Sequence, residues 1–504
     1  MANQRKLGVV LSYASQFAQV VINFVYTPIM LRLVGQSEYG LYQMVFSVVS
    51  YLNLLNFGFN AAYIRYYTGY KARADHQGIA TLNGMFLTIF SCIAAVAAIA
   101  GSGLVMNIEQ VLGGGLSVSE LSTARSLMIL MVINLVVTFP CSVFECYVVS
   151  QENFIFQQLL VIGQYILNPI FTLPLLMLGY GSIALISVTT AFTCIKLLVN
   201  IFFCVGKLKM RFCFRGFKFS LLLEMGSFTF FIFLGQIIDQ INWSIDKILL
   251  GRYLGTVTVA IYGLAATINS MYLQFSMSIS HVFIPEINKL VAEEKDNLKL
   301  TELFAKVGRF QFLVLALILI GFISIGKPFM CLWGGLEYAE SYYVALFLMI
   351  PVTIALIQNL GIDIQRAKNM HQARSVIYFF IALGNAAISV VLIPKFGAVG
   401  AALGTAIALL VGNGLFMNWY YHKKIGLDII FFWKEILAIL PSLLLPGAVG
   451  VMIFCFATIT NWLYFVMYGV LIVAAYCFSV YNWGLNPYEK ELFASICAQF
   501  RRKA

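Results

Sequence analysis

Lys196, Glu145 and Asp239 are ionisable residues set deep inside long apolar runs of this 504-residue chain. A charged side chain near the centre of a membrane-spanning helix costs about 2.5–3.5 kcal/mol on insertion scales, and forming a helix requires none of that cost. Two kinds of chemistry would repay it. A cation away from water attracts an anionic group such as a phosphate, more strongly as the local dielectric falls. A carboxylate in the same setting becomes easier to protonate and can carry a proton. Lys196 is the candidate for the first role, and Asp239 and Glu145 are the candidates for the second, as ion-coupling groups. Arg32, Lys247 and Arg252 lie nearer the ends of their apolar runs, where an interfacial anchor competes with a ligand role.

Two polar stripes accompany these charges. Ser12, Gln16, Gln19, Asn23, Tyr26 or Thr27, and Met30 recur at helical spacing in the first apolar run, and Gln236, Asp239 or Gln240, Trp243, and Asp246 or Lys247 do so within residues 229–253. Lipid cannot hydrogen-bond such a stripe, so it faces protein or water. The expected substrate cavity is therefore lined by Lys196, Arg32, Gln16, Gln19, Asn23, Gln236, Lys247 and Arg252, with Lys196 and Asp239 facing it from opposite lobes. The competing readings are polar contacts that only hold helices together and a fixed Lys196–Asp239 ion pair that only neutralises two charges.

The elements that must position these groups are membrane helices. The chain is 61% hydrophobic and 11% charged, with a mean hydropathy of +0.89, whereas soluble domains carry about 25% charged residues. Apolar runs long enough to cross a hydrocarbon core of about 30 Å recur from end to end. They predict an all-α polytopic membrane protein with about fourteen transmembrane helices. The first run, after MANQRK, is long and interrupted by Gln16, Gln19 and Asn23, so it reads as a retained span rather than a signal peptide. All but seven of the 32 lysines and arginines then fall in alternate connections. The exceptions are Arg32, Arg125, Lys196, Lys247, Arg252, Lys327 and Lys395. That bias places both termini in the cytoplasm and explains the net charge of +11 without a nucleic-acid partner. The ten cysteines form no CxxC pair and the four histidines, His76, His281, His371 and His422, are far apart; small filler and interface polar groups are expected, with no metal or other cofactor.

The chain also repeats. Shifting the first half by 220 residues lays ArgLeuValGly at 32–35 on ArgTyrLeuGly at 252–255, Tyr42 on Tyr262 and Gln16 on Gln236. At a shift of 216, Gly181 falls on Gly397, and at 217 Asn168 meets Asn385. Six spans per repeat is an even number, so the repeats run parallel, an architecture with its binding site between the halves. The expected organisation is an N-terminal lobe of six spans at 1–205, an amphipathic cytoplasmic linker at 206–221, a second six-span lobe at 222–421, and two extra spans with a cytoplasmic tail at 422–504.

Residues 21–67 (VINFVYTPIMLRLVGQSEYGLYQMVFSVVSYLNLLNFGFNAAYIRYY), IDKILLGRYLGTVTVAIYGLAA at 245–266 and FGAVGAALGTAIALLVGN at 396–413 resemble the Wzx-type polysaccharide (O-antigen or capsule) flippases of the multidrug/oligosaccharidyl-lipid/polysaccharide exporter superfamily, over essentially the whole chain. The resemblance implies two lobes working by alternating access in the bacterial inner membrane. It implies an undecaprenyl-diphosphate-linked oligosaccharide as substrate, cavity cations that hold the diphosphate, and H+ or Na+ as coupling ion. Membrane lipids and the polymerase machinery of the same polysaccharide would be its further partners. Asp246 and Lys247 match the Asp-Arg/Lys pair that often opens the second lobe's outer hairpin. A cation or drug antiporter of the same superfamily is the nearest rival, although that branch usually stops at twelve spans. A lipid II flippase would be expected to carry several cavity arginines in its first two spans, where this chain has Arg32 and Arg65 near the ends. A membrane polymerase or ligase would want a large outer loop, and the longest here, IEQVLGGGLSVSEL, is short. In a Cys-free background, cysteines at positions 72, 213 and 295 should label from the cytoplasm and one at 114 from outside; labelling of 72 and 114 from the same side would remove the fourteen-span topology.

Overall fold

The computed structural model describes residues 2–113, 116–217, 219–293, 297–368, 370 and 372–491. Positions 114 and 295, Lys218, His371, Arg501, Arg502 and Lys503 lie outside the described residues. The described chain is almost wholly helical and contains no strand, as expected where lipid offers the backbone no hydrogen bonds.

Among the described residues, eighteen α-helices follow one another. The first eight are α1 (Ala2–Val34), α2 (Gln36–Ser50), α3 (Phe59–Ala72), α4 (His76–Met106), the short α5 (Ile108–Leu112), α6 (Val118–Ser150), α7 (Phe154–Met177) and α8 (Gly181–Phe202). A 3-10 turn at Tyr51–Asn56 joins α2 to α3. Next come α9 (Phe219–Leu254), α10 (Thr256–Ala292), α11 (Asn297–Trp333), α12 (Ser341–Ile357), α13 (Asn359–Ala367) and α14 (Gln372–Leu409). The last four are α15 (Asn418–Tyr420), α16 (Ile429–Leu437), α17 (Leu444–Phe456) and α18 (Trp462–Ser479).

Among the described residues, eleven stretches are long and apolar enough to span a bilayer, or twelve when α12 and α13, bent by 40° at their junction, count as one. This is compatible with fourteen, and one merged stretch has a physical cause. The stretch 372–425 counts once although Gly397, at φ +61, kinks it where two spans meet. Helix α9 has 36 residues, about 54 Å at 1.5 Å per residue, long enough to cross a bilayer.

The sequence repeat has a backbone signature. Gly35 and Gly255 both adopt the left-handed region, at φ +82 and +81, just before α2 and α10. Gly181 and Gly397 share it as well, at φ +53 and +61. A residue with a Cβ would be strained at each of these turns, so the matched glycines reflect matched chain geometry.

By packing, the chain forms two compact units, Met1–Gly263 with Ser375–Ala401, and Leu264–Arg374 with Ala402–Ala504. In the first, α4 packs on α6, α6 on α8, α7 on α1 and α8, and α2 on α6 and α9. Its core is aromatic: Tyr63 meets Phe86 edge-on at 5.1 Å and Tyr67 meets Tyr147 at 5.6 Å. The buried Tyr63 hydroxyl donates to Asn83 Oδ1 at 2.6 Å, so the aromatic core leaves no polar tip stranded. In the second unit α11 is the hub, packing on α12, α16, α17 and α18. Phe304 stacks on Phe432 at 4.5 Å, and buried Gln311 donates to Ser276 and Ser280 at 2.9 and 2.7 Å.

Close helix approach rests on small residues. A Cβ at Gly40 would lie 1.8 Å from the Thr256 carbonyl oxygen, a backbone atom that cannot swing away. Gly40→Ala should therefore destabilise the purified protein by about 1–3 kcal/mol, the usual cost of overpacking. Gly103→Ala, where a Cβ meets open space, should leave the thermal unfolding midpoint unchanged.

Candidate functional site

The first unit contains a polar ladder where α6, α7 and α8 meet. On α8 the residues Thr189, Thr193, Lys196 and Asn200 are spaced by four, three and four, which keeps them on one face. Asn134, Thr138, Cys141 and Glu145 repeat that spacing on α6. Asn134 Nδ2 donates to Thr193 Oγ1 at 2.9 Å, and from α7 Asn168 Nδ2 donates to Thr189 Oγ1 at 3.1 Å. Thr172 Oγ1 in turn donates to Asn168 Oδ1 at 3.0 Å. From Thr189 to Asn200 the ladder runs about 16 Å along α8.

The ladder carries an ion pair. Lys196 Nζ lies 2.7 Å from Glu145 Oε1, with side chains 22% and 28% exposed. Helical side chains tilt toward the N-terminus of their helix, so Glu145 lies over the preceding turn, where Cys141 Sγ donates to its Oε1 at 3.3 Å. Asn200 Nδ2 donates to the Lys196 carbonyl at 2.9 Å and holds the next turn. The carboxylate paired with Lys196 is thus Glu145, one helix away, and not Asp239 as the fixed-pair reading of the sequence supposed; Asp239 lies on an exposed face of α9.

A second polar knot joins α2, α9 and the start of α10. Lys247 Nζ donates to Gln43 Oε1 at 3.0 Å, and Gln43 Nε2 donates to the Tyr39 hydroxyl at 2.8 Å. Asp246 is fully buried and accepts from the Tyr262 hydroxyl at 2.9 Å. About two turns back, Gln240 Nε2 donates to Ser50 Oγ. The neighbouring residues 246 and 247 therefore point into different pairings, both interhelical.

The remaining sequence candidates are dispersed. Arg32 and Arg252 are exposed in the last turns of α1 and α9, where a cation complements the helix dipole. On α1, Gln16 is exposed and Gln19 and Asn23 are half-buried, while buried Ser15 donates to Gln158 Oε1 of α7 at 3.0 Å. Gln236 is half-buried on α9, and its Oε1 has no hydrogen-bond partner among the described residues.

Depth in an apolar run singled out Lys196 and Glu145 but not the amides and hydroxyls that flank them. Their signal was present as the shared four-three-four spacing on α6 and α8. The second unit holds a charged cluster that was missed entirely. Arg309, 4% exposed, donates from Nε and Nη2 to both oxygens of Glu489 at 2.8 and 2.9 Å, from Nη1 to the Glu435 carbonyl at 2.7 Å, and from Nη2 to the Gly484 carbonyl at 2.9 Å.

Removing one partner of the α6–α8 pair leaves the other charge alone within the span, at about 2.5–3.5 kcal/mol. Lys196→Ala should accordingly lower the thermal midpoint and the membrane abundance, and adding Glu145→Gln should restore both. Equal stability of the single and double variants would show that the pair neutralises nothing.

Comparison with known proteins adds an independent view. A family model described as "Polysaccharide biosynthesis protein" matches residues 7–291, a segment that contains the whole ladder. The capsular polysaccharide biosynthesis protein CapF of Staphylococcus aureus is 28% identical over 193 residues, 37% of this chain and 47% of that protein. The probable flippase AglR of Haloferax volcanii is 26% identical over 177 residues, 34% of this chain and 36% of its own length. The matched segments thus span less than half of these relatives. Among solved structures, the lipid II flippase MurJ in an inward closed conformation superposes with a TM-score of 0.74, covering 94% of this chain and 98% of MurJ at 14% identity. An inward-facing multidrug resistance MATE family transporter of the MOP superfamily gives 0.69, covering 82% and 96% at 11% identity. At such identities these two likenesses describe the fold.

Proposed function

Because the chain belongs to the polysaccharide biosynthesis protein family, we propose that it is a flippase. It would move undecaprenyl-diphosphate-linked oligosaccharide repeat units from the inner to the outer face of the bacterial cytoplasmic membrane, both termini being cytoplasmic. In this reading two six-helix lobes alternate access to the substrate, and no bond of the substrate is made or broken.

The observation that carries the reading is the Lys196–Glu145 pair at 2.7 Å, set in the polar ladder inside the family-matched segment. Lys196 would hold an oxygen of the diphosphate, a role suited to a lysine ammonium acting as a point charge. The hydroxyls and amides of the ladder would replace water around the sugar-phosphate as it passes. Glu145 would be the coupling group: protonated, it releases Lys196 to the phosphate, and ionised, it reclaims the cation. Proton or sodium coupling through Glu145 or Asp239 belongs to the same proposal. So does a role in substrate handling for Arg32, Lys247, Arg252 and the glutamines and asparagine of α1 and α9.

Deleting the gene should make lipid-linked repeat units accumulate on the cytoplasmic leaflet and abolish surface polysaccharide. In the deletion strain, Lys196→Ala/Glu145→Gln should reach normal abundance yet leave surface polymer reduced by at least about tenfold, the consequence of losing a charge-assisted contact worth 1.5–3 kcal/mol. Normal surface polymer from that stable double variant would overturn the role of Lys196. Normal polymer in the deletion strain, with lost resistance to a cationic drug, would favour an antiporter.

A further inference from the structure

At one end of the first unit, three interhelical connections enclose a cavity of about 550 Å³ that the transport reading does not use. The connections are those after α3, after α6 and after α8, joined by the first turns of α4. Lys71, His76, Lys209 and Arg211 all line it, and no carboxylate does. Asp75 lies between the lining residues Ala74 and His76, but its carboxylate accepts from the Gly78 amide at 2.7 Å and caps α4. Among the described residues, none of Lys71, Lys209 and Arg211 has a carboxylate within salt-bridge distance. The polar contacts of Lys71 are long ones, to the Ser150 carbonyl and Gln151 Oε1 at 3.4 Å each. The cytoplasmic charge bias accounts for cations in these connections, but like charges gathered around one cavity repel, and that bias does not require their convergence there.

The scaffold holds them there at a cost. Ala74 and Lys209 both line the cavity and both sit in the left-handed region, at φ +53 and +51. A left-handed backbone is strained for a residue with a Cβ, by about 1–3 kcal/mol. The basic segment is nevertheless pinned. Asn83, 1% exposed at the cavity wall, receives the Tyr63 hydroxyl and donates Nδ2 to the Arg211 carbonyl at 2.9 Å. The Met210 amide donates to the Cys204 carbonyl at 2.8 Å, and the Cys213 amide to the Ala80 carbonyl at 2.9 Å. Backbone strain held in place by surrounding contacts in this way clusters at functional sites.

We propose that this cavity binds a phosphate group, with Arg211 supplying a planar two-pronged donor and Lys71 and Lys209 supplying point charges. The phosphate would come from an anionic lipid headgroup or from a soluble phosphate compound. The site is separate from the ladder, and the proposal does not depend on the transport reading.

The test uses the full chain, purified in a neutral detergent, with two probes. The probes are phosphatidylglycerol, compared with phosphatidylcholine, and inorganic pyrophosphate. Retained lipid is read by native mass spectrometry, and probe-dependent stabilisation by the thermal midpoint, which rises with ligand occupancy. The parent should retain phosphatidylglycerol over phosphatidylcholine, or be stabilised by pyrophosphate. Lys209→Gly/Arg211→Ala should weaken that response by about tenfold, as loss of charge-assisted hydrogen bonds implies. Glycine relieves the left-handed backbone at position 209, so without probe this variant should melt no earlier than the parent. Lys209→Arg should keep the response. A response to phosphatidylglycerol alone identifies a lipid headgroup, and one to pyrophosphate alone a soluble ligand. No response in the parent, or an undiminished one in the double variant, overturns the site. So does an equal loss in Lys327→Ala/Lys395→Ala, because that would reduce the effect to overall charge.

Discussion

Within a bilayer a polar group has no water to fall back on, and the rest of this structure follows from that constraint. It makes the chain helical, since a helix satisfies its own backbone. It also governs the side chains, because an amide or hydroxyl that enters a span either bonds back to a carbonyl of its own helix, as Thr138 and Asn200 do, or finds a partner on a neighbouring helix. Asn134 finds Thr193, Asn168 finds Thr189 and Gln311 finds Ser276 and Ser280. Each such contact is worth only about 0.6 kcal/mol on average. Their collective effect lies in helix register and choice of neighbour more than in stability.

The same constraint separates two charged clusters. Arg309 is saturated: both carboxylate oxygens of Glu489 and two backbone carbonyls take its donors, and the Arg309 and Glu489 side chains are 5% and 2% exposed. A guanidinium held that way has nothing left to offer a ligand, and it clamps the segment after α18 onto α11 and α16. Lys196 and Glu145 are more open to water and bound to each other by a single close contact. Lys196 retains donors, since an ammonium has three. The saturated cluster is therefore structural, while the unsaturated pair can exchange one partner for another.

Much of the architecture was legible in the sequence because periodicity and charge bias are local properties. The helical spans could be read from apolar runs, and the repeat from a near-constant offset that the structure renders as matched left-handed glycines at 35 and 255 and at 181 and 397. Partner choice was less legible because it depends on which helices become neighbours. Lys196 and Asp239 were matched by depth alone, yet α8 packs against α6 and Lys196 meets Glu145. A subtler signal was available: Asn134 contacts Thr193 and Cys141 contacts Asn200, both 59 residues apart. A constant separation between two polar rows is what parallel neighbouring helices in fixed register produce. The Arg309 cluster offered no such pattern, since its partners come from helix ends and the segment after α18.

Under the proposed function, the ladder sets a condition on how transport could be coupled to an ion. A phosphate can engage Lys196 fully only if Glu145 gives up its hold, because both are anions competing for one ammonium. Protonation of Glu145 removes the competitor, and the partial exposure of both side chains gives water, and hence protons, a route to the pair. By linkage, if protonation of Glu145 strengthens phosphate binding, phosphate binding must strengthen protonation of Glu145 by the same factor. Substrate and proton would then load together on one side and leave together on the other, so outward flipping would carry a proton out against the inward proton-motive force and would take its direction from removal of the flipped substrate at the outer face. Two residues on neighbouring helices suffice for this coupling, and the other ladder groups need only keep the pair in reach of its alternatives.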